Sequence, residues 1–169
     1  RNRGSVEFDD IAPPSGTDFP TGRGRGVTWF DADGDSDLDL FVGTEVKTLD
    51  NPRSRLFRNV DSGGSFSDIT NASGIDLDGQ VLNSVPIDFD NDDDTDLLIS
   101  FRARQGVTTP CKKCVVLLVN DGRGHFDAVT GASRGLKGPT QLTIALGDYD
   151  NDGDLDVFYG NRVPAAKLH

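Results

Sequence analysis

Short apolar or β-branched runs recur along the chain, each set directly against a stretch crowded with aspartate. Val27-Thr28-Trp29-Phe30, Val81 to Ile87 and Leu142 to Leu146 precede three such stretches, and Leu40-Phe41-Val42, Leu97-Leu98-Ile99 and Val157-Phe158-Tyr159 follow them. Runs of this length and composition predict strands. After each pair comes a polar stretch holding a proline (Pro52, Pro110, Pro164), which breaks the pattern. A third strand is predicted over Arg55-Leu56-Phe57-Arg58 in one unit and over Val115 to Val119 in the next. Turns rich in Asn, Asp and Gly (59–64 and 120–124) then lead to a fourth strand that contains a phenylalanine. No amphipathic helix is recognisable. The expected class is all-β, four short strands to a unit.

The aspartate stretches are copies of one another. Asp31-Ala-Asp33-Gly-Asp35-Ser-Asp37-Leu-Asp39 recurs as Asp88-Phe-Asp90-Asn-Asp92-Asp93-Asp94-Thr-Asp96 and as Asp148-Tyr-Asp150-Asn-Asp152-Gly-Asp154-Leu-Asp156, with starts 57 and 60 residues apart. A second marker keeps the same beat: Phe66-Ser-Asp68-Ile69-Thr70 matches Phe126-Asp127-Ala-Val129-Thr130, and Phe8-Asp9-Asp10-Ile11 precedes both. The whole chain, 1–169, therefore reads as one domain: a half-repeat over 1–22, repeats over 23–79 and 80–139, and a half-repeat over 140–169.

The charge follows the repeat. The chain holds 28 Asp and Glu against 17 Lys and Arg, a formal net charge of −11. Much of the excess lies in the three loops, where carboxylates this close need cations. An acidic chain does not suit nucleic acid, whose phosphates need basic stripes. No apolar run is long enough to span a bilayer and no signal peptide is recognisable. The chain opens on Arg1, as expected of a processed or excised piece.

Aspartates at alternate positions of a loop converge on one point, and calcium takes six to eight oxygen ligands of this kind. Side-chain ligation is expected from Asp31, Asp33, Asp35 and Asp39, from Asp88, Asp90, Asp92 and Asp96, and from Asp148, Asp150, Asp152 and Asp156. Asp37, Asp94 and Asp154 are expected to offer main-chain oxygen, for up to three bound calcium ions. Gly153 stands sixth in the third loop, where a sharp turn is easiest; Ser36 and Asp93 replace it in the others, which predicts weaker or altered binding there. An EF-hand is excluded, since it needs a glutamate at loop position 12 and flanking helices, and position 12 here is Val42, Ile99 and Tyr159, each in a strand. Magnesium retains waters and rarely takes an all-protein cage.

Cys111 and Cys114 flank two lysines. They are expected to form a disulfide tying a loop, with reduced thiols as the alternative; a redox motif would sit at a helix start, and zinc would need two more ligands in finger spacing. Asn71-Ala-Ser73 is a glycosylation sequon. Trp29 and the ten phenylalanines are expected in the core, with sugar stacking as the alternative. No nucleophile–base order or phosphate-cradling loop is recognisable, and carboxylates held ionised by calcium make poor general acids. No enzyme is expected.

With its metal loops, Gly24-Arg25-Gly26-Val27-Thr28-Trp29, and Leu56-Phe57-Arg58-Asn59 followed by Phe66 and Asp68-Ile69-Thr70, nearly the whole chain resembles the FG-GAP/VCBS repeat family. These repeats build the β-propeller of integrin α-subunits, and the branch it resembles most is the cartilage acidic protein/UnbV-like one. The resemblance implies four-stranded propeller blades, calcium in the hairpin loops, and a secreted, extracellular or cell-surface setting. Calcium would stiffen the blades rather than do chemistry. The expected function is a structural or adhesion module without membrane insertion, its partners being itself, further blades, glycans or extracellular proteins. A carbohydrate-binding propeller is the alternative. Closed propellers need about four blades or more, and Ala166-Lys167-Leu168-His169 followed by Arg1-Asn2-Arg3-Gly4 would rebuild the pattern of Ser54 to Asn59. Either the chain is a segment of a larger propeller, or copies join head to tail into a fibre or ring.

Overall fold

The computed structural model describes residues 1–4, 7–45, 53–62, 64–103, 113–136, 141–161 and 167–168. The fold is all-β. The first sheet holds β1 (Gly24–Phe30), β2 (Asp39–Thr44), β3 (Arg55–Asn59) and β4 (Phe66–Asp68) in that order. The second repeats the plan with β5 (Gly79–Ile87), β6 (Asp96–Ala103), β7 (Lys113–Asn120) and β8 (Phe126–Thr130). The third holds β9 (Gln141–Gly147), β10 (Asp156–Asn161) and the two-residue β11 (Lys167–Leu168). Every pairing is antiparallel. Pro52, Pro110 and Pro164, where breaks are expected, and Cys111 with its expected link to Cys114, lie outside the described residues.

The sheets stack through non-equivalent faces. The strand after each acidic loop sends alternate residues to opposite sides. Leu97 and Ile99 of β6 therefore join Phe30, Phe41 and Leu56 of the first sheet in one core cluster. Leu98, between them, joins Val157 and Tyr159 of the third sheet in the other. The residues in step with Leu97, Leu98 and Ile99 are Leu40, Phe41 and Val42 in the first sheet and Val157, Phe158 and Tyr159 in the third. At both junctions, then, loop position 11 of one sheet faces positions 10 and 12 of the next. Equivalent first strands are also cross-linked: Thr28 Oγ1 donates to the Ser84 carbonyl at 3.1 Å and Asn83 Nδ2 to that of Ile144 at 3.4 Å.

Each first strand carries a bulge six residues before its loop, with Arg25, Leu82 or Leu142 the extra residue between paired neighbours. Bulges sharpen local twist, and nothing in the apolar pattern announces them. Opposite the first bulge lies Gly43, where an added Cβ would stand 2.4 Å from Val81 Cγ1. The second and third sheets place Ser100 and Gly160 at that point, so the position stays small. Gly43→Ala is expected to destabilise the fold by about 1–3 kcal/mol through overpacking, read as a lower urea midpoint at unchanged slope.

Two short helical turns break the strand pattern, Ala12–Ser15 and the 3₁₀ turn Gly131–Arg134, each closed by a left-handed glycine, Gly16 or Gly135. They are too short to show helical periodicity. Trp29, expected in the core, is half exposed and rests on Phe66 with ring centroids 5.8 Å apart.

Candidate metal centres

Each acidic loop folds around its first aspartate, whose two oxygens accept backbone N–H groups from further along the loop. Asp31 accepts from Gly34 and Ser36 at 2.8 Å each; Asp88 from Asp92 and Asp93 at 3.3 and 3.2 Å; Asp148 from Asp152 and Gly153 at 3.1 and 3.0 Å. The turn needs left-handed backbone at positions 4 and 6. Position 4 is Gly34 (φ 75°), Asn91 (57°) and Asn151 (60°); position 6 is Ser36 (69°), Asp93 (69°) and Gly153 (96°). Glycine takes this conformation without steric cost and asparagine visits it readily, whereas a serine there is strained. Ser36→Gly and Asp93→Gly are each expected to stabilise the chelated protein by about 0.5–1 kcal/mol and to tighten calcium binding. Thermal melts with and without calcium check both.

The ninth aspartate closes the loop onto the sheet. Asp39 accepts the Ala32 N–H at 2.9 Å and the Asn59 N–H at 2.7 Å; Asp96 accepts those of Phe89 at 3.0 Å and Asn120 at 2.7 Å. Both carboxylates are fully buried. Asp156 accepts the Tyr149 N–H at 3.0 Å on the equivalent oxygen. Asn59 and Asn120 end the third strands, and their place in this lock is something the loop spacing does not reveal. The signal available was the recurrence of Asn just before each Asp- and Gly-rich turn.

Three aspartates in each copy bring carboxylate oxygens within 4.8 Å of one another: Asp31, Asp33 and Asp39; Asp88, Asp90 and Asp96; Asp148, Asp150 and Asp156. These are positions 1, 3 and 9, and the three clusters could hold metal ions. The fifth-position aspartates stand outside these groups, one oxygen of each accepting the N–H two residues on: Asp35 from Asp37 at 2.9 Å, Asp92 from Asp94 and Asp152 from Asp154 at 3.0 Å each. The seventh side chain turns toward the turn after the third strand, where Asp37 accepts from Ser62 Oγ and Asp94 lies against Gly122.

The residues fit a hard cation. Asp33 Oδ1 is buried with no hydrogen-bond partner, and the only cation near this carboxylate among the described ion pairs is Arg58, 3.7 Å from its other oxygen. Burial and the neighbouring Asp35 raise the Asp33 pKa; burial raises Asp39 and Asp96 against the pull of their backbone N–H partners. Without a cation these carboxylates resist ionisation, and a divalent ion would relieve that cost.

The third cluster is the most open, with Asp148 and Asp150 exposed and Asp156 half buried. Asn71 is exposed at the start of a turn, while the Ser73 hydroxyl of its sequon is buried and donates to the Thr70 carbonyl at 2.9 Å. No helix among the described residues is long and apolar enough to cross a membrane.

The chain is similar to cartilage acidic protein 1 of Xenopus tropicalis. The two are 27% identical over 98% of this chain, which spans about a quarter (24%) of the relative's length. No family model matches the chain.

Proposed function

We propose that this chain is a non-catalytic, calcium-binding structural or adhesion module of the extracellular space, built from propeller-type blades that associate through strand edges with further blades or with copies of itself. The observation that carries this is the threefold recurrence of one cage. Positions 1, 3 and 9 converge in every loop, and in the first two the ninth aspartate is also the buried lock on the third strand. A cation held there would tie the loop to its sheet, which is a structural task. The distant likeness to a protein named for cartilage and for acidity supports the extracellular setting. Being a segment of a larger propeller is compatible with this role.

Isothermal titration of calcium into chelated protein tests the reading. A stoichiometry near three is expected, falling by one with each of Asp31→Asn, Asp88→Asn and Asp148→Asn. Absence of binding, or a stoichiometry indifferent to those changes, overturns it. Carbohydrate binding remains the second reading on one observation: Trp29 presents half its surface to solvent, with the exposed Val27 on the same face of β1.

A further inference from the structure

The turn that follows β7, Asn120 to Gly124, lies between the first two acidic loops and touches both. Asn120 is buried, and both ends of its side-chain amide are used. Nδ2 donates to the Ala32 carbonyl of the first loop at 2.9 Å and to the Thr95 carbonyl of the second at 3.0 Å. Oδ1 accepts the Gly122 N–H at 3.2 Å and so shapes the turn itself. Two carbonyl acceptors at one end and an N–H donor at the other fix which end of the amide is which. The Asn120 backbone N–H goes to Asp96, the ninth aspartate of the second loop, at 2.7 Å.

The rest of the turn is wedged into the same gap. A Cβ added at the left-handed Gly122 would stand 2.4 Å from a carboxylate oxygen of Asp94, seventh in the second loop. On the other side, a Cβ at Gly34 of the first loop would lie 3.4 Å from the Gly122 carbonyl oxygen, and one at Gly124 would lie 3.6 Å from Asp33 Cβ. The turn therefore rests on residues 32–34 of one loop and 94–96 of the other.

A line of hydrogen bonds also joins the two ninth aspartates. Ala32 donates its N–H to Asp39 at 2.9 Å and accepts the Asn120 amide on its carbonyl, and Asn120 donates its own N–H to Asp96. Asn59, the matching residue of the first sheet, sends its side chain to the Leu38 carbonyl of its own loop at 3.4 Å and to no other loop among the described residues.

We infer that Asn120 is a positioning residue shared by the first two metal loops, so that filling either one raises the calcium affinity of the other. The inference rests on the calcium reading above. A cation in the first loop would fix Asp31, Asp33 and Asp39, and with them Gly34 and the Ala32 carbonyl on which the turn sits. The ordered turn then holds the Thr95 carbonyl and the Asp96 carboxylate ready for the second ion. One ordering of the turn serves both sites, which is the physical source of the coupling. Linkage makes the effect equal in the two directions. It adds to what each site contributes by itself.

Calcium titration in an Asp148→Asn background, which leaves two loops, tests this. Adding Asp31→Asn or Asp88→Asn leaves one loop, and so gives each loop's own dissociation constant. The product of the two stepwise constants of the two-loop protein is expected to lie about tenfold below the product of the single-loop values. Asn120→Ala removes the link without altering charge, so direct repulsion between the ions is the same with and without it. That change should bring the ratio of the products to about one, whereas Asn59→Ala, which loosens one loop only, should keep it at about ten. The Gly122 and Gly124 amides should also exchange with solvent more slowly when either loop alone is filled. Should Asn120→Ala fail to fold, the ratio in the two-loop protein and this exchange still decide. Equal products, a ratio that Asn120→Ala leaves intact, or exchange in the turn indifferent to both loops overturns the inference. Binding by both single-loop proteins without coupling counts against the link alone, while no binding by either removes the calcium reading as well.

Discussion

Excess EDTA is expected to lower the melting temperature of the calcium-saturated protein by on the order of 15–30 °C. A ligand that binds only the folded chain adds about 2.7 kcal/mol per site at a hundredfold excess over its dissociation constant. Three independent sites add about 8 kcal/mol, and each kcal/mol moves the melting temperature of a domain this size by about 2–4 °C. The effect should be steep because the chelated loops keep their carboxylates crowded: Asp33, Asp39 and Asp96 all have raised pKa values. That crowding also fixes the sign of the pH response. A carboxyl whose pKa is raised in the folded state contributes stability below its unfolded pKa, near 4, and loses it as pH rises through the folded value. In EDTA these groups should make the protein more stable as pH falls from 7 toward about 4. In calcium the order reverses, because protons compete with the cation for the same oxygens. Melting curves that overlay with and without EDTA at neutral pH would sink the metal reading.

Asp96→Ala is expected to cost about 3–5 kcal/mol even in EDTA, where no calcium energy is left to lose. The carboxylate is fully buried and takes two backbone N–H groups, one from the loop and one from the end of β7. Its removal strands both donors away from water, at about 1–3 kcal/mol each. Asp92→Ala is the matched control: its side chain lies at the exposed rim and accepts one N–H within the loop. It should weaken calcium binding yet change the chelated melting temperature little. Urea unfolding of both variants in EDTA separates the roles, and equal losses would refute the assignment of Asp96 as a lock.

The sheets could be read from the sequence because each strand pair flanks a loop of unmistakable composition. Val42, Ile99 and Tyr159 lie in strands where an EF-hand would need its glutamate, so the local chemistry agreed with the pairing it implied. The bulges at Arg25, Leu82 and Leu142 were hidden, since an inserted residue in an apolar run looks like any other strand residue. The helical turn at Ala12–Ser15 was hidden too, being a single turn started by two prolines rather than by a periodic face. Trp29 misled for another reason: a tryptophan among β-branched neighbours suggests a core, but the strand alternation that buries Thr28 and Phe30 turns it outward. At the metal loops, alternation grouped positions 1, 3, 5 and 9, and the folded loops gather the carboxylates of positions 1, 3 and 9. It could not foresee that an aspartate at position 5 is also drawn to the N–H two residues on.

Because position 11 of one sheet always meets positions 10 and 12 of its neighbour, the stack has polarity. Its two outer faces differ, one carrying Leu40 and Val42 and the other Phe158. An isologous, two-fold dimer through either face would set like against like. Any association through these faces would be heterologous and run one way, with a closed ring or an open filament as its end points, decided by the rotation between successive sheets.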